Sequence, residues 1–224
     1  MGLVELGGIA ALGFAVGLYP GVYHLLTSKK ERTEQGSVRG VELLAGYISR
    51  AQSVMDFVTG EVNPLVWNPL EHLISHQLEM NPALKMRMLA SDHIFGLRSN
   101  PSGELENRLY ELAKCRCFGD QLQMKLSEHP GQPHFGLIDG LHLYVEEPHA
   151  PQKATRIVTI YENSAFMARR FQKRFERDWN SVEEIPLEQA SVIAHPSETK
   201  DPEEVKQLIR DAESLPIFQA LRTP

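Results

Sequence analysis

The 224-residue sequence predicts an α/β domain, a mixed sheet flanked by helices and preceded by one N-terminal transmembrane helix. Three observations carry this. Helix-period and strand-period segments alternate between residues 40 and 180, the pattern of a layered α/β domain. Two short apolar runs are joined by Asp139-Gly140, a strong hairpin signal because both turn positions need a left-handed backbone. Leu3 to Leu26 form an almost uncharged run, interrupted only by Glu5 near its start and His24 near its end.

At about 1.5 Å of rise per residue, that run is long enough to cross a hydrocarbon core of roughly 30 Å. It reads as an uncleaved anchor over residues 1–27. No Lys or Arg precedes it, and Tyr23-His24-Leu25-Leu26 makes a poor cleavage site for a secretory signal. Lys29, Lys30 and Arg32 follow directly, so the positive-inside rule predicts a single-pass membrane protein with its C-terminal domain cytoplasmic. Gly13, Gly17 and Gly21 recur every fourth residue, giving a face on which another helix can approach closely. The expected partners are the lipid bilayer and, along that face, a second copy or another membrane protein. Glycine is also simply frequent in membrane helices, and Pro20 would kink this one.

Residues 28–37 are polar and read as a tether, and residues 38–182 as the domain. Gly40 to Ala51 puts Val41, Leu44, Ala45 and Ile48 on one helical stripe, and Ser53 to Thr59 reads as a buried strand. Pro64 to Met80 predicts a second helix and Leu84 to Ala90 a second strand. Gly103 to Lys114 predicts a third helix and Gln121 to Leu126 a third strand. His134 to Ile138 and Leu141 to Val145 form the hairpin, and Ala154 to Tyr161 adds a strand. Asn163 or Ser164 caps a long helix to Trp179 whose buried stripe takes in Phe166, Phe171, Phe175 and Trp179. Residues 183–224 read as a C-terminal extension with one short helix from Pro202 to Ser214, packing weakly or meeting a partner.

A net charge of −6 without a long Lys/Arg run leaves no electrostatic footprint for nucleic acid, and no such partner is expected. Cys115 and Cys117 are too few and too close for a zinc site or a disulfide framework, and are expected as packed or free thiols. Arg169, Arg170, Lys173, Arg174 and Arg177 give the long helix a basic face, read as solvated or, alternatively, as a contact for anionic headgroups.

Three passages resemble a single domain of the phospholipase D superfamily, and the resemblance spans residues 38 to 180. They are Val54-Met55-Asp56-Phe57-Val58-Thr59 after a helix, Pro133-His134-Phe135-Gly136-Leu137-Ile138-Asp139-Gly140, and Val158-Thr159-Ile160-Tyr161 followed by Phe171, Phe175 and Trp179. In that family the histidine of an HxKxxxxD motif attacks phosphorus, the lysine binds phosphate oxygens, the aspartate supports the site, and a following GSxN segment adds donors. With Asp139-Gly140 in the family's turn, Gln132 stands at the histidine position and His134 at the lysine position. Asp139 alone is retained. The GSxN positions fall on Glu146, Glu147, Pro148 and His149.

The resemblance therefore implies a cleft around Gln132, His134, Asp139, Glu147 and His149 that has lost its nucleophile and gained carboxylates. Each carboxylate repels a phosphate charge by roughly 1 kcal/mol at about 4 Å in water, and by more in a drier cleft. The expected function is a membrane-anchored, catalytically inactive phospholipase D-like domain acting as a binding or scaffold subunit of a membrane-associated complex. The alternative is a phosphodiesterase with an altered site, His134 acting as nucleophile or metal ligand and Asp139 orienting it. The family usually assembles one site from two motif-bearing halves, which again implies a homodimer or a partner. No cofactor and no metal is expected, because the spacing of His134, His142, Glu146, Glu147 and His149 matches no established ligand signature.

Overall fold

In the computed structural model the chain is described for residues 28–98, 102–130, 133–147, 156–183, 185–196 and 202–221. The expected anchor with Gly13, Gly17 and Gly21, and the site candidates Gln132 and His149, lie outside these residues. Among the described residues no helix is long and apolar enough to cross a membrane.

In chain order the first elements are β1 (Lys29–Gln35), α1 (Ser37–Ile48), β2 (Val54–Val58), α2 (Pro64–Met80), β3 (Lys85–Ser91), β4 (His93–Arg98), β5 (Leu105–Glu106) and α3 (Arg108–Lys114). They are followed by β6 (Leu122–Ser127), β7 (Phe135–Ile138), β8 (His142–Glu146), β9 (Arg156–Glu162), α4 (Ala165–Ser181), β10 (Ser191–Ala194), α5 (Pro202–Glu213) and α6 (Pro216–Leu221). The expected mixed sheet flanked by helices is present, seven strands in the order β1-β9-β8-β7-β2-β3-β6.

β2, β3 and β6 run parallel and are joined by helical crossovers, which requires both of their faces to be covered. Met55 through Val58 are accordingly all buried. β7, β8 and β9 continue antiparallel. Asp139 and Gly140 take φ of 53° and 63°, the left-handed pair the predicted hairpin turn needs. α2 begins where Asn63 accepts the Leu65 amide at 2.9 Å and Pro64 opens the first turn.

Strand alternation sorts the core into two layers. Met55, Phe57, Met86, Met88 and Ile138 pack with α1, α2 and α3 through Leu44, Ile48, Leu70, Leu73 and Leu109. Val58, Leu89, Phe135, Leu137 and Leu143 point the other way and are closed by Ala168, Phe175 and Trp179 of α4. Gly136 lies opposite Phe57 in the β2–β7 register, and a Cβ there would stand 2.6 Å from the Phe57 ring. Gly136→Ala is expected to destabilise the domain by about 1–3 kcal/mol in urea unfolding.

Several local expectations give way to pairing. Lys29–Gln35, expected as tether, forms an edge strand antiparallel to β9. A polar sequence suits a solvated edge, where the neighbouring backbone rather than an apolar pattern defines the strand. The helix expected from Gly103 starts only at Arg108, because Leu105 and Glu106 pair with β4. Asn107 fixes that start: its side chain donates to Val62 O at 2.7 Å and Phe95 O at 2.6 Å and accepts from the Tyr110 amide at 3.2 Å. Residues of the C-terminal extension pack on the body, with β10 parallel to β4 and Val205, Ala212 and Phe218 buried. Phe166, expected in the buried stripe of α4, is 79% exposed, because the inward line runs through Ala168, Phe175 and Trp179. Cys115 and Cys117, expected as packed or free thiols, are exposed and joined as a disulfide across Arg116, whose left-handed backbone (φ 54°) turns the chain after α3.

Candidate functional site

His134 stands at the entry to β7, where its backbone carbonyl accepts the Glu146 amide from the end of β8 at 2.9 Å. The imidazole leans on Gly60, just past β2, so closely that an added Cβ would lie 3.1 Å from Cε1. Gly60→Ala is expected to displace the ring with less than about 1 kcal/mol of stability lost, read as a shift of the His134 imidazole resonances with little change in urea midpoint.

Glu146 is the centre of the cluster. Its Oε1 accepts the Tyr144 hydroxyl at 2.6 Å, and its Oε2 accepts Arg156 Nη1 at 3.0 Å. His134 Nδ1 lies 3.7 Å from the same Oε2, an ion-pair distance beyond hydrogen-bond reach. The His134 and Glu146 side chains are 15% and 13% exposed. Burial, and then the Glu146 charge, pushes the Tyr144 hydroxyl well above its ordinary range, so it remains a donor. His195, just after β10, lies within range of the Arg156 charge. Burial drives its imidazole down to about 4, with the Arg156 charge adding to the effect, and its ring meets Phe95 edge-on at 5.2 Å.

Asp139 belongs elsewhere. The four residues of β7 separate it from His134, about 16 Å at strand rise. Its carboxylate accepts Gln52 N at 2.9 Å, Ser53 N and Oγ at 2.8 Å each and Val54 N at 3.1 Å, fastening the hairpin turn to the start of β2. Burial works to raise this carboxyl, but the hydrogen bonds from Gln52, Val54 and Ser53 outweigh it and hold it below the usual range. Asp139→Asn, which tolerates the left-handed turn, is expected to cost about 1–2 kcal/mol at neutral pH. A carboxyl depressed in the fold contributes its stability above about pH 4 and loses it as the pH falls through the folded value, so the difference in urea midpoint fades with acidification.

Glu147 is likewise engaged in the framework, accepting Arg32 of β1 at 2.8 and 3.1 Å while its amide donates to Ile157 O at 2.8 Å. His142 sits at the Asp139 end near the Tyr47 ring, and burial, then the Arg50 charge, lowers its pKa. Of the expected site, the structure thus fastens Asp139 to residues 52–54 and Glu147 to Arg32, while His134 meets Glu146, which is not among the expected binding residues. Among the described residues no group of three or more His, Cys, Asp and Glu side chains is placed to hold a metal ion.

Sequence reasoning missed Arg156 as a partner of Glu146 and Gly60 as a neighbour of His134. The hairpin register was the one local signal, since Tyr144 and Glu146 share a strand face. It also missed a network beneath α4. The Asp56 carboxylate, fully buried, accepts Arg87 Nε at 2.7 Å and Nη2 at 2.9 Å. Arg87 also donates to Glu176 at 2.7 Å, and Gln172 bridges Asp56 and Glu176 at 3.0 and 2.9 Å.

No family model matches the chain, and no curated protein does. Solved structures resembling it include TrmBL2, an archaeal chromatin protein with a novel mode of DNA binding, at TM-score 0.48 and 12% identity over 81% of this chain and 64% of that one. This chain thus spans just under two thirds of the chromatin protein. Nuc of Salmonella typhimurium, a phospholipase D family member, matches at TM-score 0.47 and 9% identity over 70% of this chain and 99% of that one. Phosphatidylserine synthase of Haemophilus influenzae matches at TM-score 0.47 and 11% identity over 87% and 47%. Likenesses this distant assign neither activity nor partner to the chain.

Proposed function

We propose that this chain is a membrane-anchored phospholipase D-like domain that has no phosphodiesterase activity and serves as a binding or scaffold subunit of a membrane-associated complex, its domain on the cytoplasmic side. The observation that carries this reading is the position of Glu146. Its carboxylate takes up Arg156 Nη1 and the Tyr144 hydroxyl, donors to which a phosphate oxygen would otherwise bind. A phosphodiester arriving there displaces a bound carboxylate or meets its charge. Gln132, at the family's nucleophile position, has no imidazole to attack phosphorus. Both oxygens of Asp139 are engaged by the backbone and side chain of residues 52–54. The anchor rests on the run from Leu3 to Leu26, and the partner face on Gly13, Gly17 and Gly21.

The test is turnover of an aryl phosphodiester, a phospholipid and single-stranded DNA by the full chain, with and without divalent metal, beside His134→Ala. Neither protein is expected to turn over any of them. Activity abolished by His134→Ala in a folded protein replaces this reading with the altered phosphodiesterase. Separately, the full chain is expected to stay in membranes through an alkaline wash, and its release there overturns the anchor.

A further inference from the structure

Viewed down α4, Phe166, Arg169, Arg170, Lys173 and Arg177 fall on one stripe, at about 100° of turn per residue, opposite the buried Ala168, Phe175 and Trp179. Phe166 is 79% exposed. α4 carries no acidic residue before Glu176, which turns inward to Arg87, and Asp178 is occupied by Arg174 and Arg177. Among the described residues no carboxylate pairs with Arg169, Arg170 or Lys173. Their charge is thus uncompensated on a chain whose net charge is −6. Alongside runs an open groove of about 660 Å³ lined by apolar Pro133, Met167 and Phe171 and by cationic Arg170, Lys173 and Arg177.

The position of this stripe selects its partner. Lys29, the first residue of β1, pairs with Glu162 at the end of β9, and α4 begins at Ala165, three residues further on. Phe166 is four residues, at most about 14 Å of extended chain, from Glu162, which lies about 5 Å across the ladder from Lys29, so it stands within about 20 Å of the point where the described chain begins beside the expected anchor. Lys30, over the Tyr161 ring, adds a charge at the same end, where Lys29 is paired with Glu31. A cationic helix alone would suit any polyanion. An exposed phenylalanine amid the cations, beside the membrane exit, suits an interface with an apolar layer beneath charged headgroups.

We propose that the outward face of α4 docks on an anionic membrane surface, Phe166 entering the headgroup layer while Arg169, Arg170 and Lys173 meet lipid phosphates and carboxylates. The choice of a membrane over other polyanions rests on the anchor proposed above.

The experiment reads the tryptophan emission of Phe166→Trp in the full chain, reconstituted with vesicles of phosphatidylcholine or of phosphatidylcholine with phosphatidylserine. Trp67 and Trp179, 5% and 8% exposed, supply a constant background. A blue shift is expected only with phosphatidylserine. Adding Arg170→Glu and Lys173→Glu, both at exposed positions, reduces the docked fraction by about tenfold or more, with far-UV circular dichroism unchanged. Salt at about 1 M, where screening acts within roughly 3 Å, has the same effect.

Equal emission with the two vesicle types overturns the proposal, as does a shift that survives the double reversal. A shift produced by single-stranded DNA and not by phosphatidylserine overturns it in favour of nucleic acid. Flotation of the same samples reads the anchor independently. A chain that leaves phosphatidylcholine vesicles, yet still shows the phosphatidylserine-dependent shift, refutes the anchor and leaves the docking face standing.

Discussion

Asp56→Ala is expected to lower the unfolding free energy by about 3–5 kcal/mol, the largest effect of any single substitution outside the apolar core. Asp56 is fully buried in the middle of β2, and both its oxygens are bound by Arg87 of β3. Arg87 is itself only 19% exposed and lies over the Phe175 ring at 4.8 Å. Removing the carboxylate leaves a guanidinium in an apolar layer with only Glu176, 42% exposed, to offset it. An unpaired buried charge costs more than a pair contributes, so Asp56→Leu combined with Arg87→Met is expected to recover most of the loss. Urea unfolding of the two single variants and the double variant checks this. A double variant no more stable than Asp56→Ala would show that the network acts through geometry rather than through charge burial.

The second large effect is a loosening of the C-terminal segment on acidification. His195 titrates at about 4 in the fold, against about 6.5 in a released chain, because burial and then Arg156 oppose its protonation. The released form therefore binds the proton first. The segment's stability contribution is complete above about pH 6.5 and declines as the pH falls toward 4, by about 2 kcal/mol after allowing for a ring that is not wholly enclosed. β10 amides paired with β4 are expected to exchange with solvent roughly 30-fold faster at about pH 4.5 than at pH 7, after correction for intrinsic rates. His195→Leu, unable to titrate, is expected to flatten that profile. An equally steep profile in the variant would place the titrating group elsewhere.

The cluster around His134 shows where sequence reasoning runs out. His134 and Glu146 were legible as candidates because they flank a hairpin announced by Asp139-Gly140. Arg156 and His195 were not, since they arrive from β9 and from beyond β10, and no local pattern ties either to β7. Asp139 and His134 lie in one short motif, yet strand geometry sends them to opposite ends of β7. Asp56 and Arg87 each read as a polar residue in an apolar strand, and only the parallel β2–β3 register makes them partners.

The sequence by itself determined the α/β class, the helices α1, α2 and α4, the principal strands and the tight hairpin. Each is set by the period of apolar side chains or by the backbone freedom of a few adjacent residues. Tertiary structure decided that a polar segment would be the edge strand β1, that β4, β5 and β10 would form a second sheet, and that Glu146 would engage Arg156 and Tyr144. Backbone pairing and side-chain ion pairing depend on which distant segments are brought within about 3 Å. That choice is made by burial of the whole chain at once, and no window of the sequence contains it.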